Sequence, residues 1–338
     1  MVVVLEVGPS GPQMVEGIYR ARTFVVKHGD STPSSRTQAA GIAQGCPLSP
    51  YLFIIVMSVL LQIVDQEMIG HAGESNTKPY LITPDVLYAD DTMLVAEKPE
   101  YLQEHLNAVV RIGRTFGLDL NVGKTILLRI RSEANIQGPD GEFIPCQSSA
   151  VYLGGLLSVD GQPKSEVTKR LGEAKGAFEK IRSVWNHANL SKQRKIKVLE
   201  ACVFSKLLYG LESCMLLQAD RAKLDAFQAR CLRRIVKIAP AYFSRVSNAS
   251  VLNCAGAQRL SDLLLQRQLL LYGRLAREPT SSLPRRMLFA IDVHNNLIPR
   301  SWGSARARGR PRLQWRNYIH SRALEAFRGG TPTGSRSS

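Results

Sequence analysis

The sequence is short of acid. Its 338 residues hold 28 Asp and Glu against 44 Lys and Arg, a net charge of +16 at pH 7. A chain this basic meets a polyanion, and nucleic acid is the first choice, with a membrane surface as the plainer rival. Metal-binding cysteine spacing is missing as well. Cys46, Cys146, Cys202, Cys214, Cys231 and Cys254 never form a Cys-x-x-Cys pair, and the six His do not gather beside them. That argues against a zinc knuckle and a disulfide framework, and for reduced thiols in an intracellular compartment. Long apolar runs are absent too. The longest, Tyr51 to Leu61, is about 11 residues against the ~20 that a spanning helix needs, so no membrane is expected as a partner. Met1 to Val7 carries Glu6 and no basic stretch, so a secretory leader is not expected either.

What is present is ordinary globular material. Apolar residues make up 44%, and the length allows two domains of roughly 100–200 residues each. Met14 to Tyr19 reads as a short helix and Thr23 to Lys27 as a strand. Phe53, Ile54, Met57, Leu60, Leu61 and Val64 recur at three and four, which predicts a helix from Pro50 to about Ile69. Short apolar segments on both sides of Asp90-Asp91 predict a β-hairpin. Pro99 to Phe116 reads as a helix with Gly117 as its C-cap. From about Pro163 the pattern turns helical, in four series that run to Leu275. Past Pro279 it weakens. Eleven Arg then face only Asp292 and Glu325 between Arg285 and Arg336.

The stretch Leu87-Tyr88-Ala89-Asp90-Asp91-Thr92 carries the chemistry. Adjacent carboxylates at a hairpin tip repel each other, which is tolerable in water or with a divalent cation between them. In two-metal catalysis such carboxylates hold Mg²⁺ ions about 4 Å apart, which activate a 3′-hydroxyl and the leaving pyrophosphate. A solvated acidic turn is the plain alternative.

Other blocks narrow the choice. Gly41-Ile42-Ala43-Gln44-Gly45-Cys46-Pro47-Leu48-Ser49-Pro50-Tyr51-Leu52-Phe53 resembles the reverse transcriptase motif that precedes a long palm helix. Tyr88 to Asp91 follows it at a fitting spacing. Gly117-Leu118-Asp119-Leu120-Asn121-Val122-Gly123-Lys124-Thr125 resembles the next block, and Tyr152-Leu153-Gly154 the primer-grip block. Leu207-Leu208-Tyr209-Gly210-Leu211-Glu212 resembles a segment of non-LTR (LINE-type) retrotransposon polymerases. Five blocks in order, over about residues 5 to 240, identify the chain as resembling a reverse transcriptase of that group.

The resemblance implies roles. Asp90 and Asp91 would be catalytic metal ligands for Mg²⁺ or Mn²⁺. Tyr88 would pack near the primer end or incoming nucleotide. Gln44 and Gly45 would face template and nucleotide, where glycine allows close backbone approach. Lys124 would lie near the triphosphate. An RNA template, a DNA primer and dNTPs are the implied partners, and the nucleus is the implied site of work. Relatives carry a further aspartate block several tens of residues before the Gln-Gly motif. Nothing before Gln44 matches it, and Leu5 to Val26 resembles the segment that follows it, so the chain is expected to be N-terminally truncated and impaired. A catalytically inactive remnant that only binds RNA or DNA is the alternative.

The expected fold is α+β: a partial polymerase palm of antiparallel sheet with packed helices, then an α-helical thumb-like region. The expected divisions are 1–160 (partial fingers and palm), 161–278 (thumb-like) and 279–338 (basic, partly disordered). Lys192-Arg194-Lys195-Lys197 and Arg230-Arg233-Arg234-Lys237 suit phosphate contacts along a duplex, or else a solvated charged face. Arg306, Arg308, Arg310 and Arg312, around Gly309 and Pro311, resemble an AT-hook core, with a flexible basic linker as the alternative.

Overall fold

The structure is a computed structural model that describes residues 11–20, 22–25, 35–38, 41–42, 45–72, 86–186, 189–301 and 314–327. It divides into two compact units, Met1–Leu127 with Ser132–Cys146, and Leu128–Arg131 with Gln147–Ser338.

In the first unit, α1 (Gly11–Tyr19) leads to β1 (Thr23–Val25), which pairs antiparallel with β2 (Ser35–Thr37). The apolar periodicity at Pro50 becomes α2 (Ser49–Ala72). Its Pro50 sits in the first turn, where a missing N–H costs no helical hydrogen bond. Ser49 is buried there, with its hydroxyl 2.9 Å from that of Tyr19 on α1. β3 (Val86–Tyr88) and β4 (Asp91–Met93) form the expected hairpin, and α3 (Pro99–Thr115) follows. Leu60, Leu61, Val64 and Met68 pack on Ala108 and Ile112 of α3. Each such aliphatic side chain contributes about 1.5–3 kcal/mol on full burial. The neighbouring face of α3, through Leu106 and Val110, meets Ile136 and Ile144. By length and composition Ser49–Met68 is apolar enough to cross a membrane, so the apolar stretch is longer than the 11-residue run suggests.

α3 ends as its sequence requires. The N–H of Gly117 donates to the carbonyl of Arg114 (3.1 Å) and that of Leu118 to Gly113 (3.0 Å), the paired closure of a Schellman motif. Gly117 takes φ +72°, which a Cβ would strain.

The strands β5 (Leu127–Leu128) and β6 (Cys146–Gln147) are two residues each. Among the described residues every sheet is two-stranded. Mixed helix and small sheets fit the expected α+β class.

The second unit begins with a hairpin, β7 (Ser149–Tyr152) and β8 (Gly155–Ser158). Its helices are α4 (Lys164–Lys180), α5 (Arg182–Asn186), α6 (Lys192–Leu199), α7 (Ser205–Leu208), α8 (Gln218–Val236), α9 (Ala241–Ser244), α10 (Asn248–Ala255) and α11 (Leu260–Arg277). α6 passes into α7 through one wide π turn, Glu200–Phe204. The positions spaced by three and four meet in one core around Trp185, Leu199, Leu207, Leu224, Leu232 and Leu264. Trp185 stacks on Phe178 (4.9 Å between centroids) and donates its indole N–H to the Phe178 carbonyl (2.9 Å). Ser191 and Ser247 cap α6 and α10 by accepting the N–H groups of Arg194 and Ser250.

The basic final stretch is more structured than its composition suggests. It holds α12 (Leu283–Leu288), a hairpin of β9 (Phe289–Ile291) and β10 (Leu297–Pro299), and α13 (Trp315–Phe327). These pack on α11 around Leu265, Tyr272, Phe289 and Ile319. Trp315 donates its indole N–H to the Glu212 carbonyl at 2.9 Å.

Candidate active site

In the first unit the β3–β4 register sets Tyr88 opposite Asp91, leaving Ala89 and Asp90 as the turn. Ala89 adopts φ +55°, a left-handed conformation that an alanine takes only under constraint. The strained turn presents Tyr88 (64% exposed), Asp90 and Asp91 together on one open tip. Two adjacent carboxylates supply hard oxygen donors, and Mg²⁺ is commonly held by one or two carboxylates plus phosphate oxygens. The donor set therefore fits one such ion. Among the described residues no group of three His, Cys, Asp or Glu side chains is placed to hold a metal.

The other sequence-derived residues in this unit stand on separate turns. Gly45 takes φ +82° in the turn before α2, with open space around the position of a Cβ. Lys124 is exposed on the 3₁₀ turn Val122–Lys124. Its backbone N–H donates to the Asn121 side chain (3.2 Å), while the Thr125 hydroxyl donates to the Asn121 carbonyl (2.9 Å). Asn121 and Thr125 thus build the turn that displays Lys124. Gln44 and the arginines Arg306, Arg308, Arg310 and Arg312 lie outside the described residues.

The second unit joins two of the sequence blocks. Leu153 and Gly154 form the two-residue turn between β7 and β8, at φ +49° and +77°. Positive φ at both positions is the type I′ pattern, which favours Asn-Gly and is strained for leucine. Three donors hold this turn. The Tyr209 hydroxyl donates to the Leu153 carbonyl (3.0 Å), and Lys169 Nζ (2.8 Å) and Arg170 Nη2 (2.7 Å) both donate to the Gly154 carbonyl. Arg170 also donates through Nε to Glu166 (2.6 Å) and through Nη1 to Glu173 (3.1 Å). Its guanidinium lies over the Tyr209 ring at 4.8 Å. Glu166 in turn accepts the Leu156 N–H at 2.8 Å. The Glu166 and Arg170 side chains are each only 6% exposed, so the pair is a buried, fully bonded clasp. A groove of about 640 Å³ opens beside it, lined in part by Arg170, Lys180, Ser205, Lys206 and Tyr209.

Glu166, Lys169 and Arg170 are absent from the sequence-derived site. Their signal was an acid and a base four residues apart in the register of Val167 and Leu171, where a solvated pair is out of place. The charge clusters also divide on folding. Lys195 is buried and donates to the Trp185 carbonyl (3.0 Å), and Arg233 is buried at the end of α8, so neither side chain faces a ligand. Lys192 bonds the Cys254 carbonyl. Arg234 pairs with Glu179 at 3.4 Å.

Comparison with known proteins agrees with the blocks. A family profile described as "Reverse transcriptase (RNA-dependent DNA polymerase)" matches residues 10–199, more than half of the chain. The chain is 26% identical over 196 residues to a Pol polyprotein from a type-1 R2 retrotransposable element of Popillia japonica, covering 54% of this chain and 26% of that protein. It is 34% identical over 128 residues to a Pol polyprotein from a type-2 R2 element of Drosophila melanogaster, covering 38% of this chain and 11% of that one. The chain thus spans about a quarter or less of these two relatives.

Proposed function

The chain belongs to the reverse transcriptase (RNA-dependent DNA polymerase) family, in its non-LTR retrotransposon branch, and from that premise we propose that it serves DNA synthesis on an RNA template. The observation that carries the reading is the strained Ala89 turn, which sets Tyr88, Asp90 and Asp91 on one tip. In this reading Asp90 and Asp91 bind divalent metal and align a primer 3′-hydroxyl with the nucleotide α-phosphate. Bound Mg²⁺ supplies charge neutralisation at the attacking and leaving oxygens. Tyr88 packs against primer end or nucleotide, Gln44 and Gly45 line the template side, and Lys124 faces the triphosphate and favours departure of pyrophosphate. Arg306, Arg308, Arg310 and Arg312 hold nucleic acid further on. The clasp at Leu153-Gly154 fixes the hairpin that lies in the primer-grip block. α2 serves as a packed helix against α3 rather than a span, and the work is done on nuclear DNA.

The same reading sets a limit. Two carboxylates hold one ion better than two, so the chain by itself polymerises weakly and retains binding as its stronger property. The test is extension of oligo(dT) on poly(rA) with Mg²⁺ or Mn²⁺, with Asp90→Asn as control. Weak extension that the control abolishes is expected. Extension equal in both would remove Asp90 from the reaction. The second reading, a binding-only remnant, is favoured by the lack of a three-donor group among the described residues. It predicts no extension beside normal duplex binding.

A further inference from the structure

The chain that follows α8 displays two aromatic rings which the polymerase reading does not use. Tyr242 and Phe243 stand on α9 at 72% and 71% exposure, with ring centroids 4.1 Å apart and planes 40° from parallel. Large apolar rings set side by side in water oppose the hydrophobic effect, so something must hold them out. Arg233 does so. From its buried position, Nη1 donates to the Ala239 carbonyl (3.0 Å) and the Ser244 hydroxyl (3.4 Å), and Nη2 to the Val246 carbonyl (2.6 Å) and Asn248 Oδ1 (3.1 Å). The Ser244 hydroxyl closes the turn on the Ala239 carbonyl at 3.0 Å. One guanidinium thus fastens the backbone on both sides of the two rings, and the display is preorganised.

Along the chain on both sides of the rings the charge has one sign. No Asp or Glu occurs between Asp225 and Asp262, while Arg230, Arg233, Arg234, Lys237, Arg245 and Arg259 all lie in that interval. Arg234 is engaged by Glu179 of α4. Lys237 and Arg245, which bracket the rings in the chain, are exposed and sit at left-handed backbone positions (φ +59° and +56°). Exposed aromatic faces amid unopposed cations match unpaired bases on a phosphate backbone.

We infer that Tyr242 and Phe243 form a stacking platform for unpaired bases of a single-stranded nucleic acid, with Lys237 and Arg245 taking its phosphates. Every base has a π-face, so the platform reads no sequence. It goes beyond the polymerase reading and needs neither Asp90 nor Asp91. A duplex, whose bases are already stacked, gains nothing from the rings.

The test uses the full chain with 2-aminopurine-labelled 12-mers of single-stranded DNA, single-stranded RNA and duplex DNA at one fixed salt concentration. The wild-type chain is expected to quench the label in one or both single strands. A Tyr242→Ala/Phe243→Ala variant is expected to bind that strand about tenfold more weakly, with duplex affinity unchanged. A Tyr242→Trp/Phe243→Trp variant restores the affinity, which separates stacking from any loss of fold. Comparison of the DNA and RNA arms identifies the strand. Single-strand affinity unchanged in the alanine variant, equal loss on the duplex, or no rescue by tryptophan would each overturn the platform. Failure of primer extension with single-strand stacking intact would count against the polymerase reading alone.

Discussion

The hydroxyl of Tyr209 donates to the carbonyl of Leu153 across 3.0 Å, although 56 residues separate them in the chain. This bond joins two blocks that the sequence shows only as separate words. It also lands on a residue in a costly conformation, so the clasp and the strain belong to one device. The hairpin turn is held in shape from outside by Tyr209, Lys169 and Arg170 rather than by its own residues.

Tyr209→Phe removes that one donor and keeps the ring under Arg170. The expected cost is about 0.5–1.5 kcal/mol, near the low end because Tyr209 is partly exposed. A lower urea midpoint with an unchanged m-value is the reading that agrees. No shift at all would mean that water replaces the bond at no cost.

Arg170→Ala leaves Glu166 buried without its partner and is expected to cost about 3–5 kcal/mol. Arg170→Lys keeps the charge but cannot reach Glu166, Glu173 and Gly154 with one head group, so it should fall between the wild type and alanine. Chemical denaturation of the three proteins gives the order directly. An alanine variant as stable as the wild type would show that the clasp is decoration.

Leu153→Asn should move the other way. Asparagine tolerates positive φ, and the partly exposed leucine buries little, so a gain of up to about 1 kcal/mol is expected. Thermal unfolding measures it. If the variant is more stable but holds primer–template less tightly, the strain serves binding.

High pH should destabilise the second unit. Burial pushes the Cys231 thiol from 9.0 up to about 12, and burial also raises the Tyr272 hydroxyl from 10.0 to about 12. Both groups are neutral when protonated, and their pKa values are higher folded than unfolded. Their contribution is therefore complete below pH about 9 and is lost as pH climbs from there to about 12. A thermal midpoint that falls over this window, and falls less in Cys231→Ala, is the expected result. A midpoint flat from pH 9 to 12 would contradict it.

The parts of the fold legible in the sequence are those fixed locally. The spacing of Leu60, Leu61 and Val64 encodes α2, and Gly117 marks the end of α3, because period and left-handed φ are properties of a few neighbours. The tip of the Asp90-Asp91 hairpin was legible for the same reason. Arg233 and Lys195 were not, since a sequence records charge but not whether a guanidinium or ammonium turns inward to satisfy backbone carbonyls. The docking of α13 on α11 depends on partners far away in the chain, and no local pattern announces it.

The bond from Trp315 to Glu212 spans 103 residues and so has a meaning in time. On the ribosome, at about 5–20 residues per second, the Glu212 carbonyl is made roughly 5–20 s before its indole partner. In the later part of that interval, once α11 has been made, the faces of Leu265 and Tyr272 that α13 will cover are open to chaperones. A message with a stop codon ahead of Trp315 would extend that interval without end, and the cell's proteases would meet a chain whose α11 face stays uncovered.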